Sequence, residues 1–371
     1  MRVLHVLAAG ERGGAERVLS SLLRHAGTSG VEPSVAALAS GPFVDELDAA
    51  GIDVVRLPPA PRTRSLHRLP RAAREVARVA DDRRVDVVQG NGERCGLLAA
   101  LAARWSGRPS VVWLHDAPAR SAAAIAVQLA ARVARPTAWV AGSRWMADDF
   151  QRRLRVPVRL IPLGVELDDL DAAVDVNAVA GFPPGTTTVT FVGRLQRWKG
   201  ADVFLRAAAI VARAQPGVGF VVAGGALFRW EEEFAASLPA LADELGIADA
   251  VRLLGHRDDA QALMAGSDVV VHASVRPEPL GLVVAEAMAL GRAVIATRTR
   301  GPEELIDHDR SGVLVPPGDP TALADAITGL VVDGNRRRRL GDAAADAIRA
   351  RWSSVAMAAG FAELYRELAP T

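Results

Sequence analysis

"VVVHASVRPEPLGLVVAEAMALGRAVIAT", Val269 to Thr297, reads as strand, loop, helix and strand in a single pass. "VVVHAS" and "AVIAT" are short apolar β-rich runs, whereas "LVVAEAMALG" has helical propensity from Val283 onward. Pro277 and Pro279 forbid a regular helix before Leu280. Gly281 and Leu282 are therefore expected near a helix N-terminus, where backbone N–H groups lack intrahelical acceptors and can receive an anion. Glu278 stands in the loop before that helix, and Glu286 about one turn inside it. A buried strand–turn–helix needs neither carboxylate.

The same rhythm runs outward in both directions. Toward the N-terminus come "RVLHVLAA", "VEPSVAALA", "VDVVQ", "SVVWLH" and "TAWVAG", each followed by a helical run; Ser143 is a candidate N-cap for the last of these helices. Near-continuous apolar strands between helices predict a parallel sheet covered on both faces. The rhythm pauses around "RLIPLGVELDDLD" in a stretch rich in Pro, Gly and Asp, as a linker would. It restarts at "TVTFVG" and continues to "TALADAITGLVVD". The expectation is an α/β protein of two doubly wound, Rossmann-like domains facing a cleft. Ligands of such sheets bind outside the carboxyl ends of the strands.

Composition agrees with two cores. The chain has 371 residues, half of them hydrophobic, and a formal net charge of +1. That charge gives no general reason to expect nucleic acid as partner. One cysteine, Cys95, rules out an intramolecular disulfide framework and fits a reducing, cytoplasmic setting. The N-terminal run is too short in its apolar part for a signal peptide, and no stretch is long enough to span a bilayer. Lysine and arginine total 44, yet Lys199 is the sole lysine.

That lysine lies in "FVGRLQRWKG", Phe191 to Gly200, between a strand and a helix. Arg194 offers a planar fork and Lys199 a compact point charge on what reads as a surface loop, both suited to a diphosphate. "GERGGAER", Gly10 to Arg17, follows the first strand; Gly13 and Gly14 let backbone N–H groups approach a ligand closely. It lacks the G-x-G-x-x-G dinucleotide fingerprint. Glycines in such a turn serve the turn itself more often than a ligand. Glu278 and Glu286 around a nest of donors match a ligand with hydroxyls at both ends and charge between. A nucleotide sugar has that layout.

"GRLQRWKG" and "EPLGLVVAEAMALGRAVIAT" resemble the signature of glycosyltransferase family 4, retaining enzymes of two-domain GT-B architecture. "GGAE", "LHD" at Leu114 to Asp116, "IPLGVE" and "SGVLVPPGDP" fit the same family, so the resemblance runs from first strand to last helix. It implies an acceptor-side domain over 1–166, a donor-binding domain over 167–352, and a final helical segment, 353–371, packing back on the first. It implies transfer of a hexose or N-acetylhexosamine from a nucleotide-diphosphate sugar, with UDP first in expectation, to a small-molecule, glycan or lipid-linked acceptor hydroxyl. Arg194 and Lys199 would bind the diphosphate, Glu286 the ribose and Glu278 a sugar hydroxyl. Leu280, Gly281 and Leu282 would supply backbone donors. Gly13 and Gly14 would close over the phosphates, and His115 would reach the donor sugar. Asn91 and Arg94, in the unmatched "QGNGER", are expected to shape the acceptor pocket.

Two departures and one separate feature complete the reading. "TRTRGPEEL", with Arg300, Gly301 and Pro302, replaces the family's usual glycine pair. The D-x-D strings Asp169–Asp171 and Asp307–Asp309 fall in a linker and a turn, so no metal is expected. Arg64, Arg68, Arg71, Arg74 and Arg78, within Arg62 to Arg84, recur at helical spacing. A solvated face and a patch touching anionic lipid are the two readings of that stripe. A nucleotide-sugar epimerase or hydrolase is the functional alternative, and a non-catalytic nucleotide-sugar-binding subunit a third.

Overall fold

The computed structural model of the protein describes residues 1–11, 13–59, 68–116, 122–167, 172–226 and 231–369. The chain forms two compact units, one of Met1–Gly164 with Trp352–Thr371, the other of Val165–Arg351.

The first unit is built on β1 (Arg2–Leu7), β2 (Glu32–Ala37), β3 (Asp53–Arg56), β4 (Val87–Asn91), β5 (Ser110–Leu114), β6 (Ala138–Ala141) and β7 (Arg159–Leu160). They form one sheet in the order β3-β2-β1-β4-β5-β6-β7, and every pairing is parallel. The strands are apolar without alternation because both faces are covered: all of β5 is buried, as is β1 beyond Arg2. Between them run α1 (Gly14–Ala26), α2 (Pro42–Ala49), α3 (Leu69–Asp82), α4 (Glu93–Ser106), α5 (Ala122–Ala134) and α6 (Arg144–Leu154). Ser143 caps α6, accepting from the Met146 N–H at 3.4 Å. α3, α4 and α5 pack side by side in sequence order.

The second unit repeats the plan with β8 (Thr187–Val192), β9 (Val218–Ala223), β10 (Val251–Gly255), β11 (Val269–His272), β12 (Ala293–Thr297) and β13 (Val313–Val315). Their order is β10-β9-β8-β11-β12-β13, again parallel. Its helices are α7 (Val176–Ala180), α8 (Ala201–Ala214), α9 (Glu232–Glu244), α10 (Ala260–Gly266), α11 (Leu282–Ala289), α12 (Gly301–Leu305), α13 (Pro320–Val331) and α14 (Gly334–Arg351). Phe191, Phe204 and Phe220 meet at the centre of its core.

The last helix, α15 (Ser354–Leu368), belongs to the first unit, where it packs on α1. Phe361 sits edge-on to Trp113 of β5 at 4.7 Å, and the Tyr365 hydroxyl donates to Gln89 Oε1 of β4 at 2.6 Å. Met357, Ala358, Phe361, Leu364 and Tyr365 of this helix are buried, while Val355 is 49% exposed. That face gives the chain's single tyrosine a buried polar partner in a strand of the sheet.

Strand order reverses direction between β1 and β4 in the first sheet, and between β8 and β11 in the second. Such switch points open a crevice at the carboxyl ends of the strands. The loops after β8 and β11 are the ones that carry Arg194, Lys199 and Glu278.

Candidate active site

In the second unit the chain leaves β8 at Gly193 and passes through a 3₁₀ turn at Arg197–Lys199 before entering α8. Gly200 closes that turn with φ 75°, and a Cβ there would lie 2.1 Å from the Ala273 carbonyl oxygen. Only glycine permits this approach. The Val275 N–H donates to the Trp198 carbonyl at 2.7 Å, so the two loops are joined through their backbones.

Lys199 thereby reaches Glu278. The Lys199 ammonium is bonded to Glu278 Oε1, which also accepts from Ser274 Oγ at 2.7 Å and His272 Nε2 at 3.1 Å. Burial alone would raise the pKa of this carboxyl. The charge of Lys199 and the His272 bond outweigh it and hold the group well below the usual carboxylate range. Lys199 was expected on a surface loop, yet its side chain is 18% exposed and its carboxylate partner 5%. Its ammonium has three N–H donors, so the bond to Glu278 leaves others for a ligand. Arg194 is half-buried and makes no ion pair among the described residues.

After Glu278 comes α11. Leu280 is buried, Gly281 is the N-cap with φ 90°, Leu282 is the first helical residue, and Glu286 lies buried on the second turn. The first-turn N–H groups have no acceptor within the helix. The departing segment Thr297–Leu305 runs beside this loop: the Glu278 N–H donates to Thr299 O at 2.8 Å, and the Gly301 N–H to Glu278 O at 3.2 Å. Gly301 is indispensable there, since a Cβ would lie 2.4 Å from Leu280 Cα. Arg300 takes φ 75° and ψ −78°, a γ-turn of the rare, strained hand, with the Gly301 N–H reaching back to Thr299 O at 3.1 Å.

In the first unit the expected residues gather at the carboxyl ends of β1, β4 and β5. His115 follows β5, its ring 4.3 Å from that of Trp113. The residue is half-buried, but its Nε2 is out of solvent and has no hydrogen-bond partner among the described residues. Burial lowers its pKa to about 3, so the imidazole is neutral at pH 7. Asn91 is committed to the strand ends: its Nδ2 donates to Val6 O at 3.2 Å and its Oδ1 accepts from Gln89 at 3.3 Å. Arg94 is exposed on the first turn of α4. Gly13 is the N-cap of α1 and Gly14 its first residue, as the glycine-rich turn suggested. The Gly13 N–H, however, already donates to the Glu16 carboxylate at 3.1 Å. A side chain from the helix itself occupies the place assigned to a phosphate on that group.

Sequence reasoning passed over three neighbours of these residues. Glu93, between Asn91 and Arg94, accepts from Gln128 Nε2 of α5 at 2.9 Å. Burial pushes its carboxyl up to about 7, with Asp116 adding to the rise. His272 and Ser274 were read as strand, and only the fold turns them toward Glu278. Of the D-x-D strings, Asp169–Asp171 lies outside the described residues, and Asp307 and Asp309 pair with Arg310 and Arg336. Among the described residues no cluster of three His, Cys, Asp or Glu side chains could hold a metal ion.

Comparison with known proteins follows the same division. Residues 12–169 match the family model described as Glycosyltransferase Family 4, and residues 176–347 the model described as Glycosyl transferases group 1. A phosphatidyl-myo-inositol mannosyltransferase of Mycobacterium leprae is 31% identical over 310 residues, 80% of this chain and 79% of that protein. A D-inositol 3-phosphate glycosyltransferase of Corynebacterium jeikeium is 36% identical over 222 residues, 57% of this chain; the match spans about half, 52%, of that relative. Among solved structures, Anabaena HepE in complex with UDP superposes with a TM-score of 0.87 at 26% identity, over 99% of this chain and 100% of that one. HepE has also been solved with UDP-glucose. With two Rossmann-like units and both family models in order along it, this chain belongs to the family 4 glycosyltransferases and has the GT-B fold.

Proposed function

We propose that the protein transfers a hexose or N-acetylhexosamine from a UDP-sugar to an acceptor hydroxyl with retention of anomeric configuration. The observation that carries this reading is the Lys199–Glu278 pair at the N-terminus of α11. It sets a cation, an ionised carboxylate and free backbone donors at one strand switch point. In this reading Arg194 and the uncommitted donors of Lys199 take the diphosphate, and Glu286 takes the ribose. Glu278 accepts a sugar hydroxyl, while Gly281 and Leu282 supply N–H groups. HepE's complexes with UDP and UDP-glucose support the donor. The inositol-directed relatives support a hydroxyl acceptor, and in the first unit His115 Nε2 has no hydrogen-bond partner among the described residues.

As the sugar–phosphate bond breaks, charge grows on the leaving diphosphate, and Arg194 and Lys199 stabilise it. The acceptor attacks from the face the diphosphate leaves, and a phosphate oxygen takes the hydroxyl proton. No nucleophile from the protein enters this scheme. The test is incubation with UDP-, GDP-, ADP- and dTDP-sugars, with and without polyol acceptors, following nucleotide release and the product anomer by NMR. UDP release that rises with acceptor, a retained anomer and full activity in EDTA are expected. An inverted product overturns retention, and loss of activity restored by Mg²⁺ overturns the metal-free assignment. Donor turnover that no acceptor increases would favour an epimerase or hydrolase instead.

A further inference from the structure

The backbone of Glu278 is fixed by its neighbours. Pro277 and Pro279 flank it, and a residue that precedes proline is confined to extended conformations. The loop after β11 swings out at Val275, Arg276 and Pro277, which are exposed, and returns at Glu278, which is buried. The carboxylate thus comes back over the strand end the chain has just left. His272 and Ser274 lie two residues apart there, so their side chains leave on the same face. Both are buried, and both bond to Glu278.

The pattern of those bonds is one-sided. His272 Nε2, Ser274 Oγ and the Lys199 ammonium all reach the same oxygen, Oε1. Oε2 has no hydrogen bond among the described residues, and it is not sealed from solvent. Donors that served only to satisfy a buried carboxylate would be shared between its oxygens, since each offers lone pairs of its own. Here one oxygen takes every donor and the other is left open. An ionised carboxylate only accepts, so His272 carries its hydrogen on Nε2. Its Nδ1 is sealed without a partner among the described residues, so the ring spends its polar contact on Glu278.

We infer that His272 and Ser274 are positioning residues for sugar recognition: they pin Glu278 through Oε1 and present Oε2 as a single acceptor. The inference rests on the reading that Glu278 meets a hydroxyl of the transferred sugar, and it adds how that hydroxyl is counted. A carboxylate free at both oxygens spans two neighbouring ring hydroxyls. With Oε1 taken, Glu278 reads one ring position, and the hydroxyls beside it go unread by this group. His272 and Ser274 touch no substrate in this scheme; they act through the carboxylate.

The test compares UDP-glucose with analogues that each lack one sugar hydroxyl, by kcat/KM for UDP release from the full chain. The analogue without the hydroxyl that Oε2 accepts should be about ten- to hundredfold poorer, the worth of a hydrogen bond to a charged group. The double variant His272→Leu, Ser274→Ala should lose that discrimination and keep it at every other position, with its affinity for UDP alone nearly unchanged in calorimetry. Ser274→Ala by itself, the mildest of these changes, should show the same trend. His272→Gln, whose amide N–H can stand near the place of Nε2, should restore most of the discrimination that His272→Leu removes. Discrimination that survives the double variant overturns the inference. So does its collapse at two adjacent positions together, or an equal loss of UDP and UDP-glucose binding, which would mark a merely structural role. A parent that neither binds UDP nor releases it fails the donor reading instead. Proton–nitrogen correlation spectra of the unliganded chain then decide how Glu278 is held: His272 should be protonated at Nε2, and a ring protonated at Nδ1 alone overturns the positioning whatever the donor.

Discussion

Replacing Lys199 with alanine should reverse the sign of a pH dependence. In the parent protein Glu278 is ionised when folded at a lower pH than when unfolded, because Lys199 and His272 overcome its burial. The stability this contributes is complete above the unfolded carboxyl's pKa, near 4.5, and is lost as pH falls below it. Without the ammonium, burial dominates and the folded pKa moves up instead. The carboxyl then folds protonated, and stability is lost as pH rises from about 4.5, by up to about 1.4 kcal/mol per pH unit. Removing one partner of a buried pair typically costs about 3–5 kcal/mol. In a unit of this size that is a fall of roughly 6–20 °C in Tm at pH 7.5, shrinking toward pH 4.5. Lys199→Ala with Glu278→Gln should recover most of the loss. Differential scanning calorimetry across pH 4–8 reads the effect directly. A Lys199→Ala profile parallel to that of the parent would refute the buried-pair reasoning.

Glu93→Gln makes the opposite kind of case in the first unit. Burial raises this carboxyl to about 7 when folded, so the folded chain holds an extra proton above pH 4.5 and loses stability as pH rises toward 7. The variant should melt higher than the parent at pH 8 and equally at pH 4; equal shifts at both would exclude the raised pKa. His5 is buried with its pKa lowered to about 3, so protonation of the unfolded chain should erode stability as pH falls from 6.5 toward 3. His5→Leu should flatten that acid limb in a urea titration. Tyr365→Phe removes the hydroxyl that donates to buried Gln89 and should cost about 1–3 kcal/mol, seen as a lower urea midpoint with unchanged slope.

Much of the fold was legible because its signals are local. Unbroken apolar strands, the prolines before Leu280 and the glycine at 281 each constrain their own few residues, and the structure places β11, α11 and β12 where they point. The positions of the signature residues at strand ends were legible for the same reason. Their partners were not. Glu278 joins Lys199 across 79 residues, and Gln89 joins Tyr365 across 276. No spacing rule reaches that far, since sheet order decides which loops meet. Lys199 on a solvent loop was therefore a fair reading of ten residues and an incomplete one of the whole unit. Glu93 escaped notice because a carboxylate in a helix's first turn is ordinary; its environment comes from Gln128 on the next helix.

The return of α15 to the first unit has a consequence for synthesis. Trp113 and Gln89 are in place early in the chain, but the residues that cover them, Phe361 and Tyr365, lie beyond the whole of the second unit. Roughly 190 residues separate the two parts, about 10–40 s of translation at ordinary rates. Through that interval the face of α1 and the sheet that α15 will cover stay open to solvent. The second unit, being continuous, meets no such delay and can finish folding first. The first unit to begin is thus the last to close, and a nascent chain stalled within the second unit exposes an apolar groove shaped for one particular helix.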